Sequence, residues 1–173
     1  MTLDIEHKAE SLLTECSALR VPVPLDTVIH HLDLTAQARP LAETSGVLVV
    51  ENGRGMIGYN VNHSRVRQRF TIAHEIGHFV MHASNDQHQR LFVDRSTMFK
   101  RNENSSTGND NQEIEANQFA AALLMPKKLI QEEIASSHFD LDDEEDVSNF
   151  AKRFNVSAAA MTFRLKNLGL LRG

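Results

Sequence analysis

His74, Glu75 and His78, read in the run His74-Glu75-Ile76-Gly77-His78, are the residues whose types and spacing carry the most chemistry in this chain. On an α-helix, side chains four apart share a face, with Cβ atoms roughly 5–6 Å apart. Two imidazoles at that spacing can each direct a ring nitrogen at one divalent cation, about 2.0–2.1 Å away. Glu75 is turned about 100° around the helix from His74, so it lies beside such an ion instead of on it. A carboxylate placed there is a general base for a water activated by the metal. Gly77 keeps the helix surface slim beside the ligands, at a propensity cost of about 1 kcal/mol relative to Ala.

The flanking sequence favours this over two solvated histidines on an ordinary surface helix. Val66, Phe70, Ala73, Ile76, Gly77, Val80 and Met81 recur with helical period over residues 65–81, forming a buried stripe with the histidines at its edge. A third protein ligand is then needed. His82 lies two turns beyond His74, about 12 Å along the axis, too far to share the ion. Residues 113–126 repeat Ile114, Phe119, Ala120, Leu123 and Leu124 at helical spacing, which puts Glu113 and Asn117 on one stripe. Glu113 is the better candidate ligand, with Asn117 one turn on to hydrogen-bond the far nitrogen of a ligand histidine. Glu115, about 200° away around the helix, is the alternative, though a solvated or helix-terminal charge suits it better.

The run from Arg69 through His78, followed by Glu113-Ile114-Glu115-Ala116-Asn117-Gln118-Phe119-Ala120-Ala121 and Leu124-Met125-Pro126, resembles the ImmA/IrrE family of metallopeptidases. Weaker similarity covers most of the chain. The resemblance implies a zincin-like domain with a gluzincin-type site, Zn²⁺ held by His74, His78 and Glu113, and Glu75 as catalytic base. It also implies an intracellular regulator that cleaves, or otherwise disables, a helix-turn-helix repressor. Gluzincins commonly carry Asp where this chain has Asn117, and a neutral amide raises imidazole basicity less than a carboxylate does. Two histidines and a carboxylate also suit Mn²⁺ or Fe²⁺, so zinc rests on the peptidase motif. An oxyanion formed at a scissile carbonyl needs a further donor, for which Tyr59, the single tyrosine, and His82 are the main candidates, with His63 and His138 behind them.

The elements that must position these residues follow from the patterning. The expected fold class is α+β, mostly helical with a small antiparallel sheet. A first helix over residues 4–19, capped by Asp4, carries the stripe Ile5, Ala9, Leu12, Leu13, Cys16 and Leu19. Pro22 and Pro24 stop it, and a short helix over 25–32 follows. Residues 34–38 read as an edge strand, and 45–50 with 54–61 as a hairpin around Glu51-Asn52-Gly53. The metal-site helix starts near Asn62 or Ser64, and one or two strands fall within 91–99. Residues 100–112 contain no apolar side chain and read as a loop between the two metal-site helices. Pro126 ends one helix and opens another, to about residue 135. Acidic residues between 140 and 146 favour the N-terminus of a helix ending near Phe154.

Residues 150–165 have helix-turn-helix character, with Asn155 suited to a left-handed turn and Ser157 to an N-cap. The chain is expected to divide into a metallopeptidase domain, 1–138, and a C-terminal helical segment, 139–173. Ala158-Ala159-Ala160 would lead the second helix and offers no donor to a base edge, which argues against direct DNA reading. Lys152, Arg153, Arg164 and Lys166 are the residues that could touch phosphates. A net charge of −5 also argues against general nucleic-acid binding by the surface. The 41% hydrophobic content supports one good core, and the single Cys16 excludes an internal disulfide. With no signal-like segment and no long apolar run, the expected location is cytoplasmic, without membrane contact. Three functions fit: a zinc endopeptidase acting on a protein partner, a metal-bound antirepressor acting by binding alone, and a DNA-binding regulator using the C-terminal helices.

Overall fold

The computed structural model describes residues 2–83, 90–95, 107–136, 139–141 and 143–171. In chain order these form α1 (Thr2–Glu15), α2 (Leu25–His31), β1 (Thr35–Arg39), β2 (Thr44–Glu51), β3 (Arg54–Asn60), α3 (Arg65–His78), β4 (Arg90–Arg95), α4 (Thr107–Leu124), α5 (Lys127–Ser136), α6 (Glu144–Phe154) and α7 (Ala158–Asn167). The fold is α+β. Helix α3 is its middle layer, packed on β2 and β3 on one side and along α4 on the other, while α1 covers α4. Ala73 and Ile76 of α3 are completely buried between these layers, as the apolar stripe requires. No helix among the described residues is long and apolar enough to cross a membrane.

The sheet has the strand order β1-β3-β2-β4 and is mixed, not antiparallel throughout. The β2–β3 hairpin turns at Asn52 and Gly53, both at positive φ (51° and 77°), as the Asn-Gly pair dictates. Strand β3 then slots between β2 and β1 and runs parallel to β1, with Thr35 opposite Met56 and Arg39 opposite Asn60. The short link from β1 to β2 therefore steps across the end of β3. Buried Asn60 holds that crossing: its Nδ2 donates to the carbonyls of Ala42 (3.2 Å) and Thr44 (2.9 Å), and its Oδ1 accepts from the Asn62 amide (3.0 Å). Strand β4 pairs with β2 alone among the described residues, with a bulge at Ser45 between the pairs Thr44–Arg95 and Gly46–Asp94.

Several boundaries differ from the sequence expectation. Helix α1 begins at Thr2, so Asp4 lies in its first turn and pairs with Lys8 (3.1 Å). It ends at Glu15 because Ser17 turns left-handed (φ 56°) and the Ala18 amide closes onto the Leu13 carbonyl (2.8 Å). Cys16 therefore follows the helix as a free, half-buried thiol against the core. Beyond α3 the helix does not stop but widens into a π-helical turn, Phe79–Ala83. Helix α4 starts at Thr107, so residues 107–112 are helical where a loop was expected. Residues 96–106 and His138 lie outside the described residues.

The C-terminal helices form the expected turn: Asn155 is left-handed (φ 55°, ψ 47°), Asp143 caps α6 and Ser157 caps α7. Phe150, Phe154, Met161 and Leu165 belong to the same buried cluster as α1 and α4. Arg164 is buried, donates Nε to the Met125 carbonyl (3.0 Å) and grips the Glu6 carboxylate with both terminal nitrogens. Arg153 pairs with Glu133 of α5. Two of the four cations that could have met phosphates are thus consumed inside the molecule.

Breaking a buried, two-pronged ion pair by removing one partner costs about 3 kcal/mol or more. Arg164→Met is expected to destabilise the metal-free protein by about that amount in urea unfolding. Arg164→Lys should recover only part of it, because one ammonium cannot serve the Glu6 fork and the Met125 carbonyl together.

Candidate metal centre

Helix α3 presents His74 and His78 one turn apart, both buried, with their Nε2 atoms 3.0 Å from each other. Helix α4 passes close enough to bring the Glu113 carboxylate onto the same point. Its Oε2 is 3.3 Å from His74 Nε2 and its Oε1 is 3.2 Å from His78 Nε2. Ligands about 2.0–2.1 Å from a tetrahedral ion stand about 3.3–3.4 Å apart, so the two imidazoles and the carboxylate, which turns one oxygen to each ring, are gathered closely enough to share one divalent cation. Among the described residues, His74, His78 and Glu113 are the His, Cys, Asp and Glu side chains that gather in this way.

Glycine makes the approach of the two helices work. A Cβ on Gly77 would stand 3.0 Å from the Ala116 carbonyl oxygen and 3.1 Å from its Cα, backbone atoms that cannot swing aside. Without it, α3 and α4 meet backbone to backbone one helical turn from the ligands. The same face of α4 carries Asn117, whose Oδ1 lies 3.1 Å from His74 Nδ1. That oxygen only accepts, so Nδ1–H donates and the His74 Nε2 lone pair is left facing the ligand cluster.

The donor set is also prepared electrostatically. Burial would raise the Glu113 carboxyl, but hydrogen bonds from His74 and His78 and their charge when protonated overrule it and lower the group to about 2. Glu113 is therefore an anion wherever the imidazoles are neutral. Its side chain is 47% exposed while those of His74 and His78 are 3% and 2% exposed, so the cluster is walled on the helix side and open on the carboxylate side. The opening is a groove of about 430 Å³ between β4 (Arg90 to Val93) and the Gln112–Glu113 turn of α4. A closed structural site would have no such face; catalytic sites keep a coordination position open.

Glu75 is fully buried on the sheet side of α3, outside the ligand triangle. Its carboxylate fits into the space that Gly46 leaves on β2: a Cβ there would lie 2.6 Å from Glu75 Oε1 and 2.4 Å from Thr71 Cγ2. Next to Gly46, the bulge turns Ser45 inward, where its hydroxyl accepts from Arg67 Nη2 (2.9 Å). Tyr59 is half-buried on β3 directly opposite Gly46, hence on the sheet face that meets α3. His82 turns toward α4, with Nε2 3.3 Å from the Gln112 carbonyl and 3.8 Å from Glu115 Oε2; burial lowers its pKa. Glu115 thus meets His82 and not the ligand cluster. His63, the remaining described candidate, supplies its backbone carbonyl to Gln68 Nε2 (2.8 Å).

Two residues of this site gave no signal in the sequence: Gly46, and Phe92 of β4, whose ring stacks on His78 at 4.8 Å between centroids. Both act through strand pairing, and nothing in their local spacing marks them.

Polar partners that orient metal-ligating histidines are typically worth about 10–100-fold in metal affinity. Asn117→Ala is expected to weaken metal binding by about that factor and Asn117→Asp to strengthen it, measured by competition with a chromophoric chelator. Acid should release the ion through the imidazoles, because Glu113 is already ionised. Each proton bound by a ligand imidazole removes a ligand, so metal content after equilibrium dialysis should fall as the pH is lowered.

Comparison with known proteins agrees with the geometry. The family model of peptidase M78, the IrrE N-terminal-like domain, matches residues 28–166, a span that contains all three ligands, Glu75 and Asn117. No curated protein matches the chain significantly. With most of its length inside the family model and the metal-ligand cluster assembled, the chain belongs to the peptidase M78 family of IrrE N-terminal-like domains.

Proposed function

We propose that this protein is a cytoplasmic zinc endopeptidase that cleaves a protein partner, a helix-turn-helix repressor, and so relieves repression. The observation that carries the reading is the convergence of His74, His78 and Glu113 on one point, with a buried carboxylate, Glu75, on the helix that bears the two histidines. Zn²⁺ bound there would supply Lewis acidity toward a water and a carbonyl oxygen. Glu75 takes the proton of the attacking water and delivers it to the leaving amide nitrogen. Its burial against Gly46 holds the carboxylate in one place and away from bulk solvent. Tyr59 is the side chain assigned to the oxyanion, by O–H donation; His82 could serve only by turning its Nε2–H away from the Gln112 carbonyl.

A polypeptide substrate suits the groove. Strand β4 forms one wall and, among the described residues, hydrogen-bonds only to β2. An extended segment can add to such an edge through main-chain hydrogen bonds. The repressor as substrate rests on the resemblance to the ImmA/IrrE family. Direct action on DNA is disfavoured by the internal pairing of Arg153 and Arg164 and by the exposed alanines that open α7.

The test is incubation of the zinc-loaded protein with candidate repressors, with products read by mass spectrometry. Glu75→Gln is expected to retain a full equivalent of metal and lose about 10²–10⁴-fold in cleavage rate, the usual worth of a general base. Chelation should abolish cleavage and added Zn²⁺ restore it. Repressor released from its operator with an uncut chain, equally by wild type and Glu75→Gln, would replace the peptidase reading with an antirepressor that works by binding.

A further inference from the structure

The two histidine ligands are held by different means. His74 is fixed through its far nitrogen, which donates to Asn117. The far nitrogen of His78, Nδ1, is buried without a hydrogen-bond partner among the described residues. An imidazole tied only at its metal-facing nitrogen can turn about its χ2 axis, and that turn swings the lone pair off the ion. Ring contacts must therefore orient His78. His74 meets it edge-on (4.6 Å, 81°) and His82 lies 5.6 Å away at 55°, both from the same helical run. Among the described residues, the face-to-face contact comes from another element: Phe92 of β4 stacks on it at 4.8 Å and 26°.

Phe92 is well placed to act as a fixed plate. It stands opposite fully buried Leu48 on β2, on the sheet face toward α3, while Leu91 and Val93 point to the other face and are 65% and 43% exposed. Its strand is also a wall of the open groove.

We propose that Phe92 is a positioning residue for the ligand His78, so that edge strand β4, and with it the groove wall, sets how tightly the metal is held. The proposal rests on the metal-centre reading of His74, His78 and Glu113. It gives the groove two linked tasks, because any segment that stiffens β4 also stiffens one ligand. Reciprocity then requires that a peptide paired on β4 raise metal affinity by the same factor by which metal raises peptide affinity.

The experiment measures Zn²⁺ affinity by chelator competition, and the ligand-field spectrum of the Co²⁺-loaded protein, for full-length wild type, Phe92→Ala, Phe92→Leu, Phe92→Tyr and Met56→Ala. Phe92→Ala should weaken Zn²⁺ binding about 10-fold or more, within the range for residues that orient metal ligands, and alter the Co²⁺ band. Phe92→Leu keeps apolar volume without a flat face, so it should stay folded yet bind less tightly than wild type. Phe92→Tyr should restore both readouts, and Met56→Ala, an exposed apolar residue of β3 outside the groove, should leave them unchanged. Wild-type affinity and spectrum in both Phe92→Ala and Phe92→Leu would overturn the proposal, as would an equal loss in Met56→Ala. Absence of Zn²⁺ binding by wild type would instead overturn the metal centre itself, and this proposal with it.

Discussion

The constraint on which the metal centre depends is the meeting of α3 and α4 at Gly77 and Ala116. Three electron-pair donors, two of them on one helix and the third on another, must stay within 4.8 Å of each other, although their lone pairs repel unless a cation or shared protons lie between them. Packing has to impose that geometry, because the donors alone would relax apart. Completely buried Ala116, Phe119, Ala120 and Leu123 anchor α4 against α3, and the missing Cβ at Gly77 sets the separation. Binding a cation to such a pre-assembled cluster adds to the stability of the fold, since only the folded chain holds the donors together. Glycine here lowers helix propensity locally and is retained because a methyl group would wedge the two ligand-bearing helices apart.

A second constraint acts from the sheet. Glu75 needs to be near the ligands without joining them, and it is held by shape: Gly46 on β2 leaves the hollow that its carboxylate occupies. The bulge at Ser45 follows from the same requirement. Ser45 turns inward to accept from Arg67, two turns before Glu75 on the same helix, and this ties β2 to α3 beside the glycine. Bulges concentrate next to functional sites because one extra residue re-aims a side chain without disturbing the rest of the ladder. The hairpin and α3 thus form a rigid backing, while the open side of the cluster faces β4.

What could be read from the sequence and what could not divide along this line. His74, Glu75 and His78 were legible because helical periodicity is local, and Glu113 with Asn117 followed from the same rule applied to a second segment. Glycine at 77 could be read as a slimming device, yet its contact at Ala116 could not, because spacing does not say which helix comes alongside. Gly46 and Phe92 were invisible: their roles depend on which strand pairs with which, and in what register. The parallel placement of β1 was missed for that reason, since hairpin signals name neighbours in sequence but not the strand that slots between them. Residues 107–112 were taken for a loop on composition, but a polar segment extends a helix readily when the turns beyond it are anchored in a core.

The burial of the donors divides the labour among them. The imidazoles are almost wholly enclosed and the carboxylate is half open, so the ion's protein ligands gather on one side and the groove lies on the other. Glu113 is held ionised down to about 2, so the carboxylate remains a ligand in acid and retention of a cation turns on the histidines. That places the burden of metal retention on the orientation of two rings. One is secured by Asn117, one turn beyond Glu113 on α4, and the other leans on Phe92 of the strand that borders the groove. A site built this way keeps one ligand independent of anything that enters the groove and exposes the other to it through a single stacked contact.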